Sequence, residues 1–362
     1  MTTAHQAFDE RIFNKEAMSL SEAGYQISLI AQDCADIHED PIHFISLSKS
    51  KGRLHRMIGL TFKSYILALK ERADIYHFHD PELLPVGVLL KMAGKKVVYD
   101  AHEDYGQKIL SKRWIKKRIR KPLSFFTDRF EKICSHFFDF IITADTLTKL
   151  KFPMEKSEVI ANYPPLSFLE GRPDRGQNGK GLKLIYVGGI SRDRGAQVMI
   201  QAASLMAPKK IELQLLGKIE DAEFSGLFKT SGNIRYIGCR PWEEVKGHLY
   251  KADIGLVLLQ PVPAYLYCPG ENIIKMFEYM GTGLPLIISN FPRLKQFVDE
   301  NKCGLAVDPT KPEEVAVAVE ALCADPDLRR QMGENGRSAV LKKYNWEREA
   351  QKLLDIYSRV TA

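Results

Sequence analysis

Short apolar runs alternate with amphipathic stretches along most of the 362 residues. In the first half, 25–31 (YQISLIA), 73–79 (ADIYHFH), 95–102 (KKVVYDAH) and 139–144 (DFIITA) are rich in β-branched and aromatic residues and bounded by polar positions or glycine, which predicts strands. Stretches 8–24 and 81–94 (PELLPVGVLLKMAG) read as helices. The second half repeats the alternation, with strands expected at 183–189, 211–217, 234–238, 252–259 and 284–289 and helices at 195–206 and 312–325. Apolar runs of this length separated by helices imply parallel sheets buried on both faces. The pattern therefore predicts two α/β domains: 1–163, a Gly/Pro-rich linker at 164–181, then 182–344. A final helix over 345–362 follows once the second pattern is complete. One irregularity stands out. Only MTTAHQ precedes the first helix, so the strand that normally opens such a domain is short or missing.

Composition changes this picture little. Apolar residues make up 45% and charged residues 27%, ordinary values for a globular chain, and no apolar run reaches the ~18–20 residues of a membrane span. No basic-then-apolar leader opens the sequence. Six cysteines are scattered without C-x-x-C pairs, which predicts reduced thiols in the cytoplasm. Charge is more telling. Residues 107–132 hold ten Lys/Arg and two acids, a local +8 that leaves the rest of the chain at −1. Within it Ile115, Ile119, Phe126 and Phe130 recur at near-helical spacing, flanked by Trp114 and Phe125. Basic residues among aromatics suit an anionic membrane surface, so 108–132 is the expected contact with the inner face of the cell membrane. The plain alternative is a solvated helix whose stripe packs on its own domain. No nucleic-acid motif accompanies the charge.

Two segments carry candidate chemistry. In 269–289 (PGENIIKMFEYMGTGLPLIIS) a glycine-containing loop runs into a short helix, a tight turn and a strand. A helix start presents unpaired N–H groups and a positive dipole end, which suits a diphosphate. Glu278 sits among Met276, Phe277, Tyr279 and Met280, where an acid is costly to bury without a partner. It reads as an acceptor for sugar or ribose hydroxyls, with a solvated helix glutamate as the alternative. Lys275, one turn earlier, faces either the phosphates or solvent. In 186–195 (YVGGISRDRG) a strand, a Gly-Gly turn and a helix opening at Gly195 form a phosphate-facing loop, with Arg194 and Arg192 as candidate cations or plain surface charges. His77 and His79 share a strand face beside Asp80, but no third ligand has clear spacing, so no metal site is expected.

These segments, with HFHDPELLPVG, VVYDAHEDY and the tail YNWEREAQKLLDIY, together resemble the retaining family 4 glycosyltransferases of GT-B fold, of the kind that build bacterial capsular, exopolysaccharide and O-antigen chains. The resemblance covers nearly the whole chain. It implies two Rossmann-like domains facing across a cleft, with the last helix crossing back to the first. It implies a metal-independent, hexosyltransferase-like enzyme that needs no cofactor and moves a sugar from a nucleotide-sugar to a glycan or polyprenyl-linked acceptor. In that pattern Arg194, His102 and Glu278 form the catalytic set: Arg194 on the leaving diphosphate, His102 on the sugar, Glu278 on the ribose. Gly189, Arg192, Gly217, Lys218, Gly270, Glu271, Asn272 and Lys275 complete the donor pocket. His5, Asp9, Arg11 and Glu103 fall on the acceptor side, where a helix cap and an Asp–Arg pair also explain Asp9 and Arg11. Two departures are plain. The arginine that usually follows the first glycine is Gly189, and the glutamate usual eight residues before Glu278 is Gly270, with Glu271 one residue off. A nucleotide-sugar epimerase and a non-catalytic nucleotide-sugar or membrane-binding partner are the alternatives.

Overall fold

The structure is a computed structural model describing residues 1–34, 41–112, 114–171, 181–209, 211–226 and 232–361. The linker residues 172–180 and Arg113 of the basic segment lie outside the described residues. Two compact units are present, Met1–Asn162 with Trp346–Ala362, and Tyr163–Asn345.

In the first unit β1 (Ile27–Gln32) pairs in parallel with β2 (Ile42–Leu47). A second parallel sheet holds β3 (Ile75–Phe78), β4 (Lys96–Ala101), β5 (Phe140–Thr143) and β6 (Ser157–Val159) in that order. Residues 1–6 run between the two sheets: the Thr2 N–H donates to the Ile30 carbonyl at 2.9 Å, the His79 N–H to the Met1 carbonyl at 3.3 Å, and Gln6 bridges Gln32 in parallel. This segment fills the first-strand slot with too few ladder bonds to be a strand. Val97 to Ala101 of β4 are all buried, as a strand covered on both faces requires, and Asp100 is the charged exception among them. The helix Trp346–Thr361 belongs to this unit, packing Leu353, Ile356, Tyr357 and Val360 against Val98, Phe140 and Ile142. The chain thus returns to its first unit at the end.

The second unit is one parallel sheet of β7 (Lys183–Val187), β8 (Glu212–Leu216), β9 (Ile234–Gly238), β10 (Ile254–Val257), β11 (Leu286–Ser289) and β12 (Gly304–Val307), in the order β12-β11-β10-β7-β8-β9. The chain winds outward through β8 and β9, then restarts beside β7 and winds the other way. That reversal puts the topological switch between β7 and β10, where the strand ends of such sheets open to ligands. Residues 164–171, expected in the linker, belong to this unit: Phe168 and Leu169 are buried, and the Phe168 ring packs 4.5 Å from that of Trp242. Three strands escaped the pattern, β2, β6 and β12. Only two of β12's residue types are β-branched or bulky, and β6 is three residues long.

Candidate active site

At the switch of the second unit, β7 ends in Gly188 and Gly189. The loop is stitched to the end of β8 by the Gly188 N–H on the Leu216 carbonyl and the Ile190 N–H on the Lys218 carbonyl, both 2.8 Å. Gly188 (φ +132°) and Gly217 (φ +136°) use backbone space open to glycine, and a Cβ on Gly217 would lie 2.0 Å from the Gly188 carbonyl. Two cations press on this turn. A Cβ on Gly188 would meet Lys275 Nζ at 2.6 Å, and one on Gly189 would meet Arg194 Nη1 at 2.5 Å and Glu220 Oε1 at 2.1 Å. The space beside Gly189, where the arginine is absent, is taken by the ends of the Glu220 and Arg194 side chains. Arg194 lies 3.6 Å from Glu220, and its charge faces the Tyr186 and Tyr265 hydroxyls.

Helix Ile274–Gly281 is pinned to the same strand end, because the Tyr279 hydroxyl accepts the Val187 N–H at 2.7 Å. That anchor sets Lys275 4.0 Å from the Tyr186 ring centre. Burial pushes the Lys275 ammonium down to about 7, and the neighbouring Arg194 charge adds to the shift, outweighing Glu278 and Glu220. Glu278 is buried at 8% exposure and accepts the Trp242 indole N–H at 3.3 Å. Gly270 (φ +91°) turns the loop ahead of this helix, and Asn272 is exposed, its side-chain oxygen taking the Cys268 thiol at 2.9 Å. Glu271 is partly buried and Lys218 exposed. Arg192 departs from its expected place. Its guanidinium grips Glu223 with two bonds of 2.8 and 3.1 Å on the surface, which occupies the fork that a phosphate would need.

The first unit gathers a different set. Arg11, expected on the acceptor side, is 4% exposed and clamps Asp100 with Nε at 2.9 Å and Nη2 at 3.1 Å, while Nη1 donates to the Ile160 carbonyl. Asp9 does not pair with it but caps the helix that begins at Glu10, accepting the Arg11 and Ile12 N–H groups. Around the Arg11–Asp100 pair lie His102 (Nε2 3.0 Å from Asp100), His79 (Nδ1 3.1 Å from His102 Nε2) and Glu16 (2.8 Å from Arg11 Nε). Neither Glu16 oxygen accepts a hydrogen bond. Burial and the Asp100 charge hold the Glu16 carboxyl well above its usual range. Burial would also raise Asp100, but Arg11 and His102 override it and keep it well below. Burial holds His79 well below the usual imidazole range and His77 at about 3. Glu16, His79, Asp100 and His102 bring candidate ligand atoms within 4.8 Å of one another. Sequence spacing hid this grouping, since Glu16 comes from a separate helix. Arg11 already supplies a positive charge to both carboxylates. His5 reaches Asp9 at 3.1 Å and Asp80 at 3.5 Å, its ring 5.1 Å from that of His102. Glu103 is half-exposed and pairs with Lys108.

Two parallel-sheet units, with a glycine turn and two cations at the second unit's switch point, define a GT-B sugar-nucleotide fold. The family model "Glycosyltransferase Family 4" matches residues 10–163 and "Glycosyl transferases group 1" matches 168–339, and the chain belongs to this glycosyltransferase family. Among curated relatives it is 28% identical over 187 residues to D-inositol 3-phosphate glycosyltransferase of Corynebacterium kroppenstedtii, a match spanning 48% of this chain and 40% of that protein. The chain thus covers under half the length of the first such relatives. Among solved structures it is similar to WaaG, a glycosyltransferase involved in lipopolysaccharide biosynthesis (TM-score 0.69, 17% identity, 95% of this chain and 94% of that one). It is also similar to Anabaena HepE in complex with UDP and glucose (TM-score 0.67, 16% identity, 91% of each). Sequence reasoning missed Glu220, Tyr186, Tyr265 and Trp242. Glu220, Tyr265 and Trp242 lie outside the two segments read for chemistry, and only the fold brings them to Arg194 and Glu278; Tyr186 opens the first of those segments but carries no polar signal on a buried strand.

Proposed function

We propose that this chain transfers a sugar from a nucleoside-diphosphate sugar to a hydroxyl of a glycan or lipid-linked glycan, with retained anomeric configuration, in cell-surface polysaccharide assembly. The observation that carries the reading is the pair Arg194 and Lys275 held against Gly188 and Gly189. When the sugar C1–O bond breaks, negative charge grows on the departing diphosphate. A guanidinium, an ammonium and the loop N–H groups stabilise that charge where it develops, and no protein metal is needed for the step. The acceptor hydroxyl attacks C1, and its proton passes to a phosphate oxygen of the leaving group. Glu278 takes the ribose hydroxyls and His102, oriented by Asp100, takes a sugar hydroxyl. A UDP-sugar is the first donor to try, because the similar HepE binds UDP and UDP-glucose. A lipid-linked acceptor accords with docking of 108–132 on an anionic membrane at the cytoplasmic face. Among the described residues no helix is long and apolar enough to cross a membrane.

The test is nucleoside diphosphate release from a panel of nucleotide-sugars, with and without acceptor glycans. Acceptor-dependent release supports transfer. Conversion of the sugar to an epimer without acceptor, or binding without turnover on any acceptor, would replace it.

A further inference from the structure

Two helices of the first unit are turned inside out. The helix Thr61–Glu71 faces Thr61, Ser64 and Ala68 inward. Its large apolar side chains, with those of the preceding turns, point to solvent: Leu54 is 74% exposed, Ile58 66%, Phe62 65% and Ile66 40%. They recur every fourth residue and so form one line along the helix. The helix Lys117–Ser135 behaves alike. It buries Ser124, Glu131, Cys134 and Ser135 while Phe126 and Phe130 stand 67% and 47% exposed. Of the stripe noted in the sequence only Ile115 is buried, so the stripe does not pack on its own domain. A surface helix normally places these residue types the other way round. An apolar face of this width marks a contact.

The segments leading into the two helices meet, since the Arg53 guanidinium lies 3.8 Å over the Trp114 ring, and both helices pack on the helix Leu84–Met92. Charge selects the occupant. Residues 49–70 carry six Lys/Arg and no acid, beside the +8 of 107–132. A second copy of this chain would bring like charge to like. An anionic bilayer takes both features at once, aliphatic and aromatic tips in the acyl boundary and Lys/Arg at the headgroups. We propose that the line Leu54, Ile58, Phe62 and Ile66 is a second membrane anchor, which docks on anionic lipid together with the helix Lys117–Ser135. This rests on the membrane contact proposed above for 108–132.

Flotation of the full chain with phosphatidylcholine vesicles, with and without phosphatidylglycerol, tests it. The wild type floats with the anionic vesicles, and I58S/F62S weakens that partition by about tenfold or more with an unchanged melting temperature, because two exposed apolar side chains no longer leave water. F126S/F130S weakens it too. Loss in F126S/F130S with wild-type partition in I58S/F62S overturns the second anchor and leaves the first contact standing. No partition of the wild type to anionic vesicles overturns both. A change of sedimentation mass in I58S/F62S without a change in vesicle binding assigns the face to a second copy and overturns the proposal.

Discussion

In the first unit Arg11, Glu16, Asp100 and His79 are shut away from water, with Arg11 as the cation against the two acids; in the second, Arg194 and Lys275 are only partly covered and crowd the same glycine turn with like charge. The buried set is a scaffold: Asp100 fixes His102, and Arg11 ties the first helix to β4 and to the Ile160 carbonyl. The partly open set is the one proposed above to receive a diphosphate. Two like charges held side by side cost the free protein something, and the cost is relieved when an anion arrives. Such stored repulsion belongs at a ligand site.

The contrast can be broken by exchanging outcomes between the units. The largest effect is expected from Arg11→Ala. Removing one partner of a buried ion pair strands Asp100, and unfolding in denaturant should show a loss of about 3–5 kcal/mol. Arg194→Ala should do the reverse. Acceptor-dependent turnover falls about 100- to 1000-fold, as for loss of one donor to a developing anion, while the melting temperature holds or rises. A stable R11A together with an unfolded R194A would erase the distinction.

Lys275 sharpens it through pH. Its ammonium titrates at about 7 in the free protein, and a bound diphosphate favours the charged form, raising that value in the complex. Binding is then strongest where Lys275 is already charged. It weakens as pH rises through 7, by up to about tenfold per pH unit until the complex's own value is reached. Titration calorimetry with a nucleoside diphosphate between pH 7 and 9 reads this slope, and Lys275→Arg, which stays charged, should flatten it. The smallest effect belongs to Arg192→Ala. Its exposed pair with Glu223 couples weakly to anything else, so turnover should stay within about threefold of wild type.

The strands and helices that the period of apolar residues marks were legible, and so was the glycine turn between β7 and the next helix, because two glycines and a helix start lie within ten residues. Glu278 was legible as a misplaced acid in an apolar helix, but its Trp242 partner was not. The buried cluster was invisible for the same reason. Arg11, Glu16, His79 and Asp100 come from three separate elements, and only the pairing of residues 1–6 between β1 and β3 and the docking of the first helix bring them together. The helix Thr61–Glu71 could not be placed from periodicity, which reports that one face is apolar and not which way that face points.

The proposed transfer requires that the Gly188–Gly189 turn with Arg194 and Lys275 hold a diphosphate. Calorimetric titration of UDP and GDP into wild type and into the double variant Arg194→Ala/Lys275→Ala tests it most directly. Saturable binding of at least one of them to wild type is expected, with a loss of about 100-fold or more in the variant, two charge-assisted contacts being worth roughly 3 kcal/mol together. Equal affinity in the two proteins would contradict it.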